Sequence, residues 1–499
     1  MALDPHTPVI VGTGQVVQRA EGLDDALEPL ALMERAVRQA TADAGLDAVP
    51  APDSIRVVSL FSWPYRDPGR LLAAALGVET AETALTASGG NAAQSLVNTT
   101  ASEIQAGRLD LAVLTGAECW RTRVRATKEG AHLDWKKLPK GTEPTRLIGR
   151  DEPMNHPAET SAGADRPVHV YPIFETALRA AGGEDVDDHR KRIAELWSHF
   201  SDVAATNPYA WVRQPLSAAE IATPGPANRM IGLPYPKYMN SNNDVDQAAA
   251  LIVCSVERAR ALGISDDRFV FPHAGSDCHD HYLVSHRADL RSSPAVAVGG
   301  RAALDLAGLT IDDVDLLDLY SCFPSAVQIG AAALGLPLDW SRPLTRTGGL
   351  TFAGGPWNNY PMHAIATVAR ELRDGLGRRG FVWANGGYTT KHSFGVYAME
   401  PAASGGFRHV SPQAEIDVLP RRELAEGEDA AGPARIEGYT VVHDRGGEPE
   451  AVVAACLRPD GRRAWGRSTD PDLTRAMCEG EWVDRPVTLT PDATLYPHN

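Results

Sequence analysis

Side chains that could act as nucleophiles, bases or hydrogen-bond donors gather in four predicted turns. These turns are residues 86–91, 320–325, 354–363 and 385–392. Thr86, Ser88 and Cys322 could attack a carbonyl carbon, and His363 or His392 could be the base that activates them. The glycines and helix N-termini beside them could hold a carbonyl oxygen or a phosphate. The sequence therefore predicts a ligand site where these turns meet.

The same residues also have structural interpretations. Thr86 and Ser88 are of the types that cap helices, and Cys322 could be a packed thiol at the end of a strand. His363 and His392 could be polar loop residues or caps. Three asparagines could either donate to a carbonyl oxygen or form Asx turns: Asn358, Asn359 and Asn385.

One cluster contains possible metal ligands: His273, Asp277, Cys278, His279, Asp280 and His281. Zinc or manganese binds such side chains, but neighbouring residues of an extended segment point to opposite sides. We therefore predict no metal site. The six cysteines are scattered without a CxxC pair, which indicates neither a disulfide framework nor a zinc knuckle.

The composition is that of a multidomain globular protein. At 499 residues the chain is too long for one core, because cores stop growing at about 250–300 residues. The net charge of −16 argues against non-specific binding to nucleic acid. No apolar stretch reaches the ~18 residues of a membrane span, and the first residues show no secretory signal. We expect a soluble cytoplasmic protein.

Strands alternate with helices in the first part of the chain, which is typical of βαβ units and a parallel sheet. Strands are predicted at residues 8–16, 54–61, 83–87 and 109–115, and helices at 29–44, 69–76 and 91–106. The order returns with strands at 268–271, 314–320, 380–384 and 393–399 and a helix at 295–307. The tripeptide Ala-Gly-Leu occurs at 44–46 and again at 307–309, in each case at the end of a predicted helix. This repetition predicts an internal duplication.

Two regions fall outside the repeat. One is Pro-rich and irregular with a single predicted helix at 187–207, and the other has short strand patterns that fit a small β-barrel of OB type. We therefore expect an N-terminal half over residues 1–120 that continues over 239–265, an inserted loop domain over 121–238, a C-terminal half over 266–407 and an added β-rich domain over 408–499.

Several motifs resemble the thiolase superfamily over about residues 5–400, and most closely its sterol-carrier subclass. They are TASGG (86–90), MNSNNDVDQAAALIVCS (239–255), DLYSCF (318–323), GGLTFAGGP (348–356) and NGGY (385–388). The resemblance implies two α/β halves in a layered α-β-α-β-α fold, acetyl-CoA acyltransferase chemistry and no cofactor beyond coenzyme A or acyl-CoA as ligand. It also implies a homodimer by family habit, with a monomer as the alternative.

The reactive positions depart from the family pattern. Thr86 stands where the motif Cys-x-Ser-Gly has its nucleophile, and residues 354–356 read Gly-Gly-Pro in place of Gly-His-Pro. Residues 320–323 read Tyr-Ser-Cys-Phe in place of His-Asp-Cys-Phe, and Ala384 replaces the second cysteine. Because losing one member of a coupled catalytic set removes about 10⁴-fold or more in rate, we expect no ordinary thiolysis or condensation.

Coenzyme A is the expected ligand of the inserted region. Residues 121–150 contain nine basic and three acidic side chains, a local reversal of the overall charge, and basic side chains recognise phosphate. The alternative is a solvated basic loop. The candidate ligand contacts are Gly354, Gly355, Asn385, Gly386, Lys136, Lys137 and Lys140, with Trp120 or Trp135 as stacking surfaces.

The resemblance and the altered reactive positions leave three possible functions. The first is a thiolase-like protein that binds CoA or acyl-CoA without standard catalysis. The second is an active acyltransferase with a non-standard site drawn from Thr86, Ser88, Cys322 and His363. The third is a non-catalytic scaffold of lipid metabolism whose C-terminal domain binds a protein partner.

Overall fold

The computed structural model describes residues 3–403 and 405–498. The strands of its first part are β1 (Pro8–Val17), β2 (Ser54–Val57), β3 (Glu82–Thr86), β4 (Leu111–Cys119), β5 (Arg146–Ile148), β6 (Met230–Gly232), β7 (Tyr235–Pro236) and β8 (Asp246–Ser255). Six of them form a mixed sheet in the order β1-β8-β4-β2-β3-β5. β8 runs antiparallel to both β1 and β4, whereas β4, β2, β3 and β5 are mutually parallel. β5 comes from the insertion and occupies the edge beside β3.

The helices of this part are α1 (Pro29–Asp43), α2 (Pro68–Leu76), α3 (Ala92–Gln105), α4 (Trp120–Glu129), α5 (Pro157–Ala162), α6 (Pro167–Gly182), α7 (Val186–Thr206), α8 (Ala218–Ala222) and α9 (Val256–Ala261). The first of them, α1, forms as predicted because Pro29 suits the first turn and Leu30, Met33 and Val37 share one apolar face that packs on the sheet. Gly45 follows the helix with φ +77°, the left-handed conformation expected there.

The second part repeats this plan. Its elements are β9 (Phe271–His279), α10 (Pro294–Ala307), β10 (Leu316–Leu319), α11 (Pro324–Leu334), α12 (Gly349–Phe352), α13 (Tyr360–Arg373), β11 (Arg379–Gly386), β12 (Lys391–Ala398), β13 (Arg408–Val410) and α14 (Gln413–Asp417). The sheet order is β10-β11-β12-β9-β13. The run β10-β11-β12-β9 has the same order and directions as β2-β4-β8-β1, so the predicted duplication is confirmed.

The two halves differ at the position of β3. In the second half an irregular segment runs there, where the Leu344 carbonyl accepts a hydrogen bond of 2.9 Å from the Leu319 N–H. The strand predicted at 268–271 was misplaced, since β9 begins where that prediction ended. Its polar residues, among them Ser276 and Asp277, obscured the pattern because their side chains bond inside the protein: Ser276 Oγ donates to the Gly299 carbonyl, and Asp277 Oδ2 accepts from Asn98 of α3.

Helices α3 and α13 lie between the two sheets and fill the central layer with Leu96, Val97, Ile365 and Val368. α1 and α2 cover the outer face of the first sheet, and α10 and α11 cover the outer face of the second. This is the predicted five-layer thiolase-like arrangement. None of the helices in residues 3–403 and 405–498 combines the length and hydropathy needed to cross a membrane.

The prediction of an irregular insertion with one helix was wrong. The predicted helix is present as α7, but α4, α5, α6 and α8 accompany it. Helix α6 was not predicted because it contains two prolines, which usually interrupt helices. Pro167 occupies the first position, where no N–H hydrogen bond is lost, and Pro172 lies inside the helix. α6 packs Ile173 and Phe174 into the core of the second half.

The predicted β-rich C-terminal module is confirmed. It comprises β14 (Gly432–His443), β15 (Pro449–Leu457), β16 (Arg463–Ser468), α15 (Pro471–Glu479), β17 (Pro486–Leu489) and β18 (Leu495–Pro497). Its sheet order is β16-β15-β14-β17-β18, and a parallel bridge between Arg467 and Thr494 brings the two ends together. β14 also pairs with β6 of the insertion, so the module is built into the molecule.

Candidate functional site

A cavity of about 480 Å³ lies where turns from both halves meet. Gly89 and Gly90 reach it from the turn after β3, Tyr320 and Cys322 from the turn after β10, and Asn385 and Gly386 from the end of β11. The contact between the turns is close. A Cβ at Gly90 would overlap both the carbonyl oxygen of Asn385 and the hydroxyl of Tyr320. Glycine is therefore required at this position.

Helix α6 of the insertion forms one wall of the cavity through Tyr171. Its hydroxyl donates to the Gly387 carbonyl at 3.0 Å and accepts from the Thr389 N–H at 2.9 Å and from Asn385 Nδ2 at 3.1 Å. Its ring stacks on Phe323 with centroids 4.5 Å apart. The insertion thus fixes the Asn385 turn.

Cys322 lines the cavity as a protonated thiol. Burial raises its pKa to about 12, against the opposing effects of the Tyr171 hydroxyl and the N–H groups of Cys322 and Phe323. A nucleophilic cysteine needs a base or a lowered pKa. Within the part of the chain that the structure describes, no histidine lines this cavity.

Thr86 and Ser88 do not cap α3, whose N-cap is Asn91. The Thr86 hydroxyl accepts from the Ser59 N–H at 3.1 Å and faces a second cavity of about 430 Å³. Ser88 lines both cavities. Its N–H donates to Asp151 Oδ1 at 2.7 Å. Of these two candidates, only Ser88 reaches the cavity that contains Cys322.

Asn358 joins the turns by hydrogen bonds. Its Oδ1 accepts from the Gly89 N–H at 3.0 Å, and its Nδ2 donates to Ser59 Oγ at 3.0 Å. Asn359 lies behind it, and its Nδ2 donates to the Gly116 carbonyl at 2.7 Å. Both amides are therefore engaged in holding the turns together.

Gly354 and Gly355 are packed against β8 and the segment before it. Gly354 has φ +108°, and a Cβ there would overlap the Gln247 amide. A Cβ at Gly355 would overlap Ser241 Oγ. A side chain at either position would have to displace Gln247 or Ser241, and the turn places Trp357 and Asn358 in the cavity wall.

The structure places His363 and His392 away from the main cavity. His363 lies on α13, where Nδ1 donates to Gln15 Oε1 at 2.9 Å. His392 accepts from Trp383 Nε1 at 3.2 Å, lies 3.3 Å from Asp280 Oδ2 and lines the second cavity. Burial lowers the pKa of both rings. Neither is placed to activate Cys322.

The buried His363 should make stability depend on pH. Burial lowers its pKa from 6.5 to about 3, so below pH 6.5 only the unfolded chain takes up this proton. The free energy of unfolding should therefore decrease as the pH is lowered, by about 1 kcal/mol from pH 6 to pH 5. The variant His363→Gln should lack this contribution. Urea denaturation of both proteins at pH 5–8 tests this, and parallel pH profiles would contradict it.

Lys136 and Lys137 are exposed and contact Trp63. The Lys136 carbonyl accepts from Trp63 Nε1 at 2.9 Å, and the Lys137 ammonium lies 5.0 Å from the centre of the Trp63 ring. Trp63 follows Phe61, a cavity-lining residue that is 43% exposed. Lys140 continues the same exposed segment.

Among residues 3–403 and 405–498, no three His, Cys, Asp or Glu side chains are grouped to hold a metal ion. In the cluster noted from the sequence, Asp277 pairs with His409 at 2.7 Å. His279 Nδ1 bonds to the Asp280 carbonyl at 2.8 Å.

A solved structure of known family matches the whole chain. It is titled as a crystal structure of a monomeric SCP2-thiolase like protein type 1 from Mycobacterium smegmatis, with 32% identity, a TM-score of 0.84, and coverage of 99% of this chain and 100% of the other. The chain belongs to the SCP2-thiolase-like proteins of type 1. The family model of the thiolase-like protein type 1 additional C-terminal domain matches residues 412–494.

More distant relatives of this thiolase-like protein are enzymes. An acetyl-CoA acetyltransferase of Methanothermobacter thermautotrophicus is 21% identical over 312 residues, which cover 58% of this chain and 77% of that protein. The peroxisomal 3-ketoacyl-CoA thiolase B of Rattus norvegicus is 29% identical over 143 residues, 28% of this chain and 30% of the thiolase. The structure of the Syntrophomonas wolfei acetyl-CoA acetyltransferase, at 15% identity and a TM-score of 0.57 over 80% of this chain and 100% of that chain, shares the fold.

Sequence reasoning missed two residues of the site in this thiolase-like protein. Tyr171 was hidden in the insertion, whose helix was not predicted. Lys391 begins β12, donates from Nζ to the Ser88 carbonyl and lines both cavities. Burial lowers its pKa. The available signal was a single charged residue at the start of an otherwise buried strand, three residues after the NGGY turn.

Proposed function

We propose that this protein binds a coenzyme A thioester in the main cavity and does not carry out the standard thiolase reaction. The observation that carries the proposal is the composition of the cavity. The turns that cup a thioester in the thiolase fold meet here, but among the residues that the structure describes the wall presents a protonated Cys322, three tyrosines and no imidazole. Such a site favours binding over thiolate chemistry.

The acyl end of the ligand would lie beside Tyr320. Burial and the neighbouring Cys322 raise the pKa of Tyr320 well above its usual value, so its hydroxyl stays protonated at neutral pH. It occupies the motif position where the subclass has a histidine and could donate to the thioester oxygen. Phe323 and Leu350 supply an apolar wall for an acyl chain.

The nucleotide end would lie at the cavity mouth. Trp357 lines the cavity and packs edge-on against Phe61 and Trp120, at 5.2 and 5.1 Å between ring centroids. The Arg123 guanidinium lies 5.1 Å from the Trp120 ring and donates to the Phe61 carbonyl at 2.6 Å. Aromatic surfaces and a cation of this kind suit an adenine and its phosphates, and we propose that the exposed Lys136, Lys137 and Lys140 add further phosphate contacts.

Calorimetry of the full chain with CoA and butyryl-CoA tests this proposal. We expect both to bind, and Arg123→Gln to weaken binding about tenfold, since a charged hydrogen bond contributes about 1.5–3 kcal/mol. Lys191→Gln is the matched control, because Lys191 is an exposed residue of α7 paired with Asp188. Binding that is absent, or equal in the two variants, would contradict the proposal.

A thiolysis assay with acetoacetyl-CoA separates this proposal from an active acyltransferase. We expect turnover at least about 10⁴-fold below that of an intact thiolase assayed in parallel. Comparable turnover would instead support an acyltransferase with a non-standard site.

We also propose a role for the added parts. Two observations support a monomer. β5 occupies the edge of the first sheet beside β3, and the matched Mycobacterium smegmatis protein is described as monomeric. The cyclic strand order of the C-terminal module, with α15 between β16 and β17, supports an OB-type barrel. Its contacts with the core support a structural role ahead of the binding of a protein partner.

A further inference from the structure

Lys391 brings an amine into the wall of the cavity without a partner of opposite charge. Nζ donates to the Ser88 carbonyl, and among the residues that the structure describes no carboxylate lies within ion-pair distance of it. The nearest acidic influence is Asp151, whose Oδ1 is held by the Ser88 N–H. A lysine placed in this way is not explained by a salt bridge.

The amine and a phenol flank consecutive glycines of one turn. A Cβ at Gly89 would lie 2.9 Å from Lys391 Nζ, and a Cβ at Gly90 would overlap the Tyr320 hydroxyl. Both side chains line the cavity along with the apolar Phe323. A ligand that enters over this turn therefore meets an amine on one side and a proton donor on the other.

The surroundings make the amine easier to deprotonate than that of an exposed lysine. Lys391 is partly buried, and this burial lowers its pKa. Lysines become nucleophiles when desolvation releases their lone pair from protonation. A mainly apolar cavity also disfavours the water that would hydrolyse a covalent intermediate.

We propose that Lys391 condenses with the ketone carbonyl of a 3-oxoacyl thioester to form an imine. Nζ attacks the C3 carbon and loses two protons, a carbon–nitrogen double bond forms, and the carbonyl oxygen leaves as water. Tyr320 donates a proton to the departing oxygen and recovers one from the nitrogen. The imine acidifies the C2 protons of the ligand, which then exchange with solvent. This inference rests on the proposed binding of a thioester in the same cavity.

Trapping by reduction tests the inference. The full chain is incubated with acetoacetyl-CoA and sodium cyanoborohydride, and the adduct is located by peptide mass mapping. We expect Lys391 to be labelled about tenfold or more over each exposed lysine. Butyryl-CoA, which has no ketone, should give no reduced adduct. Lys391→Met should abolish the adduct, and Lys191→Gln should retain it.

The outcomes separate this inference from the proposed function. Binding of acetoacetyl-CoA in calorimetry without an adduct at Lys391 would overturn the imine and leave thioester binding intact. Absence of binding would overturn both. Labelling spread evenly over exposed lysines would also overturn the imine. The peptide map of the unmodified protein decides the question even where Lys391→Met fails to fold.

Discussion

Replacing Glu175 by alanine is expected to lower the free energy of unfolding by about 3–5 kcal/mol. Glu175 lies on α6 and is fully buried. Its carboxylate accepts from the Tyr235 hydroxyl and from Gln328 Nε2 at 2.6 Å, and it lies 2.6 Å from His189 Nε2. Removal leaves three buried polar groups without their partner, and each such loss is costly.

The effect of Glu175→Ala should reach the cavity. Tyr235, which Glu175 holds, accepts from the Ser325 N–H at 3.1 Å in the first turn of α11. The ring of Phe323 stacks on both Tyr171 and Tyr235. Loss of the carboxylate therefore loosens the segment that carries Cys322, and we expect weaker thioester binding as well as lower stability.

Urea denaturation and calorimetry measure the two effects of Glu175→Ala. Asp266→Asn is the control, because Asp266 forms an exposed ion pair with Arg260 and surface pairs contribute little. Its denaturation midpoint should match that of the unmodified protein. An unchanged midpoint for Glu175→Ala would show that the buried network is not important for stability.

The architecture was predictable because it depends on local patterns. The apolar face of α1, its stop at Gly45 and the repeat of these signals around Gly308 follow from short-range rules of helix geometry and capping. The turns could be assigned to one cavity because strand ends of duplicated sheets converge.

The chemistry of the site was less predictable because it depends on contacts distant in sequence. Lys391 meets Ser88 across 303 positions of the chain, and Tyr171 meets Gly387 across 216. His363 follows the turn that lost its histidine, yet the helical direction of α13 turns it toward Gln15. Sequence position indicated which turns line the main cavity but not which side chains face into it.

Replacing Arg463 by methionine is expected to lower the free energy of unfolding by about 3–5 kcal/mol. Arg463 begins β16 and is fully buried. It binds both carboxylate oxygens of Glu437, at 2.7 and 2.8 Å. The same guanidinium donates to three carbonyls of the C-terminal half, at 2.9, 2.8 and 2.8 Å: those of Val284, Ser285 and Arg287. Methionine fills similar space but leaves these acceptors and the carboxylate unpaired.

Arg462→Met provides a control at the adjacent position. Arg462 is paired at the surface with Asp429 and Asp460, so its loss should leave the denaturation midpoint unchanged. Limited proteolysis locates the effect of Arg463→Met, and we expect earlier cleavage within residues 408–498.

Trp465 adds to the contact between the C-terminal module and the C-terminal half, because its Nε1 donates to Ser285 Oγ at 2.9 Å. If Arg463→Met is as stable as the unmodified protein, the C-terminal module is held mainly through its contacts with β6 and α6. Its surface around Arg463 would then be free to bind a partner.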